Sequence, residues 1–386
     1  MRKATYIVIF VLLLSLTLVA LDTKSFCWNL LDLFTDTEFS EEGLQKAIEY
    51  EPNMDHFFLP TLEGKELFAS IDDLSICRRE EVRKFLYMYL TVGREYVKNS
   101  IYRSYMYVDI IEDILEEYPE VPEDIALLPL LESGFSPHAV SRSGAVGLWQ
   151  FMYPTSRMLG LKVNSWVDER RDIEKSTRAA IRHLKNLYRI YGSWELALSA
   201  YNGGAGHVSR TMNRTGIEDF WKLTRSGELR NETSEYVARY AALVLIYKNR
   251  ELFNIGHDLK PLPEMDETEN MVLQYPVNIH SFSKISGVPV KTLKKLNPEL
   301  KRNVTPPYTK KYTLRVPSEK KKDIENNKKK IYKIRFSGVR KHTVKRGECL
   351  SSIARRYKTR LSHIIFLNDI KDPHLIKPGK KLYIPI

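Results

Sequence analysis

The stretch Ala126-Leu-Leu-Pro-Leu-Leu-Glu-Ser-Gly-Phe135 places a single carboxylate, Glu132, at the end of a run of leucines. Apolar neighbours desolvate a carboxylate, raise its pKa and favour the protonated acid near neutral pH. Donation of a proton to a glycosidic oxygen needs that state. A glutamate that ends a helix and faces solvent is the plainer reading, and this stretch alone does not separate the two.

Outward from it the periodicity is helical. Residues 78–99 and 105–118 carry apolar side chains at spacings of three and four, as amphipathic helices do. A turn containing Pro119 and Pro122 leads into a helical segment over 123–131. Residues 174–190, 194–202 and 232–250 predict further helices, with Ser193 as N-cap of the second and Asn231 or Thr233 of the third. Strand signals are nearly absent before residue 260, so the first two-thirds predicts an all-α domain.

The texture changes after Phe253. Pro261-Leu-Pro263 and the acidic run behind it read as a linker. Residues 271–317 and 342–386 predict two small α+β units, separated by a lysine-rich stretch, 318–341, read as solvated linker. Each unit has a helix ending in Leu-Asn (Leu296-Asn297, Leu367-Asn368), a polar loop, and a strand closing in Pro317 or Pro385. That parallel suggests a diverged internal repeat.

At the other end, Arg2 and Lys3 precede an uncharged apolar run over 4–21. Residues 1–27 therefore read as an export signal. The run is also close to bilayer-spanning length, which leaves an uncleaved anchor and membrane association through this segment as the alternative. Phe26 immediately before Cys27 argues against lipidation. The expected location is the periplasm or cell envelope.

The chain has 386 residues and a formal net charge of +12, from 60 Lys plus Arg against 48 Asp plus Glu. Residues 1–250 sum to −5 and residues 251–386 to +17. With 43% hydrophobic residues, disorder is excluded. Cys27, Cys77 and Cys349 are too few and too scattered for a disulfide scaffold or zinc ribbon. No phosphate loop or metal-ligand cluster is apparent, so no cofactor and no metal are expected. No recognition helix, RNP-like strand or zinc spacing points to nucleic acid.

Three further blocks follow Glu132: Ser141-Arg-Ser-Gly-Ala-Val-Gly-Leu-Trp-Gln-Phe-Met152, Ala200-Tyr-Asn-Gly-Gly204 and Glu232-Thr-Ser-Glu-Tyr-Val237. In this order the four blocks closely resemble the catalytic domain of lytic transglycosylases of the soluble-transglycosylase type. The resemblance covers about residues 120–250. It extends more loosely upstream to about residue 40, as in the membrane-bound transglycosylase D subgroup. It implies a mainly α protein, with a lysozyme-like catalytic domain over 120–253 behind a helical region over 38–119. One departure is visible: Tyr153 stands where that subgroup often has Pro, and Pro154 comes one place later.

The resemblance implies Glu132 as sole acid/base, with Ser141 near its carboxylate. It implies Gln150 and Met152 lining a glycan cleft, Tyr201 beside the catalytic group, Asn202 shaping its turn, and Glu232 and Tyr236 on the cleft wall. Met152 and Tyr236 also read as plain core residues, and Asn202-Gly203-Gly204 as a helix stop. Trp149 reads as packing rather than sugar stacking. An ordinary glycosidase uses two carboxylates, and the matched blocks put none beside Glu132, the nearest downstream acid being Asp168. The family's reaction needs one: Glu132 protonates the leaving oxygen between N-acetylmuramic acid and N-acetylglucosamine. It then deprotonates the C6 hydroxyl of the same muramic sugar, which attacks C1 and closes a 1,6-anhydro ring.

Residues 342–386, with His342-Thr-Val-Lys-Arg-Gly-Glu-Cys-Leu350 and Ile376-Lys-Pro-Gly379, resemble a LysM module that binds chains containing N-acetylglucosamine. Its groove between two loops implies contacts at Gly347, Glu348, Leu350, Ile376, Lys377 and Pro378, although Leu350 reads equally as core. Cys349 replaces the usual Thr. Residues 271–317 resemble the same module weakly, with no recognisable first strand. Peptidoglycan glycan strands are thus the expected partner, and the basic tail should add an attraction that salt weakens. Two rival readings stand beside this one: a muramidase or chitinase-type hydrolase on the same fold, and a non-catalytic wall-binding protein.

Overall fold

The computed structural model describes residues 79–251, 253–255, 268–307, 311–331, 339–368, 370 and 372–385. The expected signal or anchor over 1–27, residues 38–78 and the Pro261–Pro263 linker lie outside the described residues. Among those described, no helix is long and apolar enough to cross a membrane.

Two helices, α1 (Glu80–Leu90) and α2 (Arg94–Ser104), stand where the periodicity predicts one over 78–99. At the break the Thr91 hydroxyl and the Thr91 N–H both donate to the Tyr87 carbonyl, at 2.8 and 3.0 Å, and so close the last turn of α1. Helix α3 (Val108–Leu115) follows. After Pro122 a 3-10 turn (Glu123–Leu127) runs into a short helix, α4 (Leu128–Ser133), stopped by Gly134 in the left-handed region at φ 55°. Beyond come α5 (Tyr153–Met158), α6 (Ile173–Tyr191), α7 (Trp194–Gly203), α8 (Ala205–Thr215), α9 (Phe220–Arg225) and α10 (Asn231–Lys248).

Helix α10 is buried on most of its circumference from Thr233 to Ile246, as a central helix must be. It packs against α1, α4 and α7, while α6 packs against α7 and α3. Among the described residues of this half, strand structure reduces to isolated bridges such as Val140–Val146 and Val146–Phe151, in line with the all-α expectation. Ser193 caps α7 as expected, accepting from the Leu196 N–H. Asn231 and Thr233 do not cap α10. The helix starts one residue earlier, with Arg230 at the cap position and no side-chain cap bond.

The tail contains two α+β units. In the first, β1 (Thr268–Leu273) pairs antiparallel with β2 (Tyr312–Pro317), around α11 (Ile279–Ser286) and α12 (Val290–Leu296). A first strand is therefore present; its burial alternates, but the outward-facing Val272 between buried Met271 and Leu273 is also apolar and hides the alternation in the sequence. The stretch read as linker is structured over much of its length: a 3-10 turn (Ser318–Lys320), α13 (Lys321–Asn326) and α14 (Lys328–Ile331) put Ile324 and Ile331 into this unit's core. In the second unit, β3 (Val339–Thr343) pairs with β4 (Lys381–Pro385) around α15 (Leu350–Arg356) and α16 (Leu361–Asn368), a βααβ order.

The two Leu-Asn ends do the same job. The Asn297 side chain accepts from the Arg315 N–H at 2.8 Å and donates to the Arg315 carbonyl at 2.9 Å. Asn368 makes the equivalent pair with Tyr383, at 2.7 and 2.6 Å. Each asparagine thus imitates a neighbouring strand and seals the closing one.

Both units dock on segment 162–174 of the helical domain. The Trp166 and Tyr383 rings lie 4.8 Å apart, with the Arg302 guanidinium over both. The Asp168 N–H donates to the Glu299 carbonyl and the Lys301 N–H to the Trp166 carbonyl, each at 2.9 Å. Arg315 bridges to Asp172 at 2.9 Å and to Glu174 at 3.3 Å.

Candidate active site

Glu132 lies on the last turn of α4, where the left-handed Gly134 and Phe135 (φ 58°) send the chain away from its carboxyl group. Burial pushes its pKa up to about 7; a hydrogen bond from Tyr236 opposes the rise, and the negative charge of Glu232 adds to it. The Tyr236 hydroxyl donates to Glu132 Oε1. Glu232 and Tyr236 sit four residues apart and so share one face of α10. The carboxyl is thus poised between protonated and ionised near neutrality, as an acid that must later act as a base requires.

Tyr201, near the end of α7, donates to the Trp149 carbonyl at 2.7 Å. Burial raises its phenol well above the ordinary value, and nearby Glu132 adds to the shift. The same causes, in the same order, act on Tyr236. Helix α7 does end at Asn202-Gly203-Gly204, but Asn202 also reaches α10. It donates to Glu232 Oε1 at 3.4 Å and accepts from the Thr233 hydroxyl at 3.2 Å. A Cβ on Gly203 would lie 2.5 Å from Thr233 Oγ1, so glycine is what lets the two helices close here. The block thus ends the helix and ties α7 to α10.

The loop 141–152 completes the surround. Trp149 is fully buried and donates to Thr177 at 3.0 Å, which makes it packing. Gln150 adopts φ 46° and donates to the Gly147 carbonyl at 2.8 Å. Met152 is 40% exposed and so is not core, whereas Tyr236 is buried yet reaches Glu132 with its hydroxyl. Tyr153 opens α5 with Pro154 in its first turn, where a missing N–H costs nothing. Ser141 is bonded elsewhere: its hydroxyl accepts from the Ala145 N–H at 3.0 Å and pairs with Ser143 at 2.9 Å. Its role is to hold the loop's turn, with no bond to Glu132 among those described. Asp168 is held by Arg170 in a buried ion pair at 2.8 Å; the carboxylate that acts on Glu132 is Glu232.

In the second tail unit, Gly347, Lys377 and Pro378 are exposed and Ile376 packs partly against the core. Leu350 is core, at 2% exposure, and not a surface contact. Glu348 organises its own loop. It accepts from the Lys345 N–H at 2.8 Å, pairs with His342 at 2.7 Å and takes Arg356 as well. These contacts, the Lys345 N–H foremost, hold its pKa down at about 2. Cys349 caps α15 reciprocally with Ser352, doing what the expected Thr would do.

Two residues near the site escape sequence reasoning, Tyr96 and Arg103 of α2, which bond to the backbone of α4 and of its terminal glycine. Their signal is a polar stripe, Tyr96, Ser100 and Arg103, on one face of an amphipathic helix. Among the described residues, no group of three or more His, Cys, Asp or Glu is placed to hold a metal ion.

Three family descriptions match the chain: the transglycosylase SLT domain over residues 109–224, the LysM-like domain of lytic transglycosylase MltD over 267–333, and the LysM domain over 342–385. The chain is 29% identical over 343 residues to membrane-bound lytic murein transglycosylase D of Escherichia coli, covering 83% of this chain and 72% of that protein. It is 32% identical over 124 residues to membrane-bound lytic murein transglycosylase C of Edwardsiella ictaluri, covering 29% of this chain and 34% of that one. A solved structure of an inactive mutant of the lytic transglycosylase Slt from Pseudomonas aeruginosa is 25% identical, with a TM-score of 0.29. It covers 34% of this chain and 22% of its own.

Proposed function

We propose that the chain, which matches the transglycosylase SLT domain and two LysM-type units, is a lytic transglycosylase that cuts peptidoglycan with one acid/base, Glu132. The bond cleaved is the β-1,4 link from N-acetylmuramic acid to N-acetylglucosamine, and the new end is 1,6-anhydromuramic acid. The observation that carries this is the state of Glu132, a carboxyl raised to about 7 by burial and held by Tyr236. Near neutral pH such a group gives a proton to the leaving oxygen and, once ionised, takes one from the C6 hydroxyl of the same sugar. The nucleophile belongs to the substrate, so its effective concentration is high and no water is consumed. Tyr236 steadies the carboxylate between the two steps.

The tail is read as a glycan holder. Exposed Gly347, Lys377 and Pro378 sit on the two loops that would face a strand, with Glu348 bracing the first of them. The name of the Escherichia coli relative supports an envelope location, and residues 1–27 would direct export or anchor the chain.

A second reading has one observation behind it. Glu232 is close enough to raise the Glu132 pKa and in principle supplies the second carboxylate of a hydrolase. Digestion of purified sacculi separates the two: anhydro ends support the transglycosylase and reducing ends support the hydrolase. No release by the wild type, or equal release by Glu132→Gln, contradicts both.

A further inference from the structure

Two side chains outside the four blocks grip the backbone on either side of Glu132. The Tyr96 hydroxyl donates to the Leu130 carbonyl at 3.1 Å, two residues before it. Arg103 Nε donates to the Gly134 carbonyl at 2.6 Å, two residues after it. Both come from α2, which presents Tyr96, Ser100 and Arg103 on one face at spacings of four and three. Ser100 accepts from Arg103 Nη2 at 3.2 Å and so fixes the guanidinium fork. The fit is close: a Cβ on Gly134 would lie 2.6 Å from Ser100 Oγ and 2.7 Å from Arg103 Nη2. Helix α2 rests directly on the turn that follows Glu132.

Helix α4 is six residues long. The last carbonyls of any helix lack partners within it, and a helix this short does not hold its own geometry in water. Its geometry must be imposed by its neighbours. The guanidinium also sits at the helix's C-terminal end, where positive charge is favoured.

We infer that Tyr96 and Arg103 are positioning residues for Glu132, fixing the end of α4 so that the carboxyl meets the Tyr236 hydroxyl and the scissile oxygen in one geometry. The inference rests on the reading of Glu132 as the acid. It extends the catalytic unit upstream of residue 109, where the SLT match begins.

The test uses the full chain and soluble glycan strands, with kcat and KM followed against pH and thermal unfolding recorded alongside. Arg103→Gln is expected to lower kcat about ten- to a hundredfold, the scale of a small misplacement of a reacting group. KM should stay within about twofold, because substrate contacts are intact. The alkaline limb of the kcat profile should be displaced, and Arg103→Lys, which keeps a charged donor, should recover part of the loss. Tyr96→Phe should lower the same parameter by less. Wild-type kcat with an unmoved limb in Arg103→Gln, or a loss confined to KM, overturns the inference. If Arg103→Gln fails to fold, Tyr96→Phe decides by the same criteria. Failure of the parent reading looks different: Glu132→Gln would then turn over at the wild-type rate, and both would fall.

Discussion

The Tyr236 hydroxyl donates to Glu132 Oε1 across 104 residues of chain, joining a six-residue helix to the long, mostly buried one. A rigid central helix thereby sets the protonation of a carboxyl that stands on a short and dependent one. Tyr236→Phe removes a contact that lowers the Glu132 pKa, so the pKa should rise. In the proposed mechanism the protonated form starts the reaction, so the alkaline limb of the kcat profile should move to higher pH. The rate itself should fall about tenfold or more, as expected when a charged group loses a buried hydrogen bond. A pH–rate profile checks both.

Glu232→Gln should act in the opposite sense. Its negative charge helps keep Glu132 protonated, so the neutral variant should show an alkaline limb at lower pH. Glu232 is exposed, so the displacement should be small and should shrink as salt is added. Anhydro products should persist. Loss of all turnover in this variant would instead favour the two-carboxylate hydrolase.

Glu132 should also cost stability. Its pKa is about 7 in the folded protein against a reference value of 4.5. A raised folded pKa means that the native state holds the extra proton. That stabilising contribution is therefore complete below the reference value and is lost as pH rises through about 7. Glu132→Gln escapes the loss. It should melt with the wild type near about pH 5 and above it near about pH 8, by on the order of 1 kcal/mol or more. Thermal unfolding at the two pH values reads this directly.

The docking of the tail rests on Arg315, whose guanidinium reaches Asp172 at 2.9 Å with little exposure. Removing one partner of a buried pair leaves the other charge unmatched. Glu299 lies beside it, its pKa raised to about 7 first by burial and then by the charge of Asp172, with Arg315 opposing. Arg315→Met should therefore lower stability by on the order of 3 kcal/mol. It should leave kcat on short soluble glycan fragments unchanged, because Glu132 and its partners are untouched. Unfolding curves paired with that assay test the separation.

The sequence revealed most where a side chain is chemically committed. The leucines before Glu132 precede a carboxyl whose pKa burial does raise, and the fold brings Tyr236 against it and Tyr201 near it from two of the later blocks. The Ser141 hydroxyl, expected near Glu132, has its described bonds with Ala145 and Ser143 and so holds the turn of its own loop. A hydroxyl's partner depends on backbone curvature that residue type does not encode. The lysines of 318–331 masked two isoleucines, Ile324 and Ile331, one on each of two short helices, that both enter the core. Composition read as solvation because buried residues were the minority. The bonds of Glu348 to His342 and Arg356 depend on the fold that brings those residues to it and leave no trace in local sequence. The tail's docking on Trp166 left no local signal. An aromatic pair such as Trp166 and Tyr383 is visible only once both chain segments are in place.

The origin of the oxygen at the new sugar end tests the central claim most directly. Sacculi digested with the purified full chain in heavy-oxygen water should release fragments that end in 1,6-anhydromuramic acid and carry no label. In those fragments the C6 hydroxyl held by Glu132 has done the work of water. Reducing ends carrying one heavy oxygen per cut would contradict the account and make the enzyme a hydrolase.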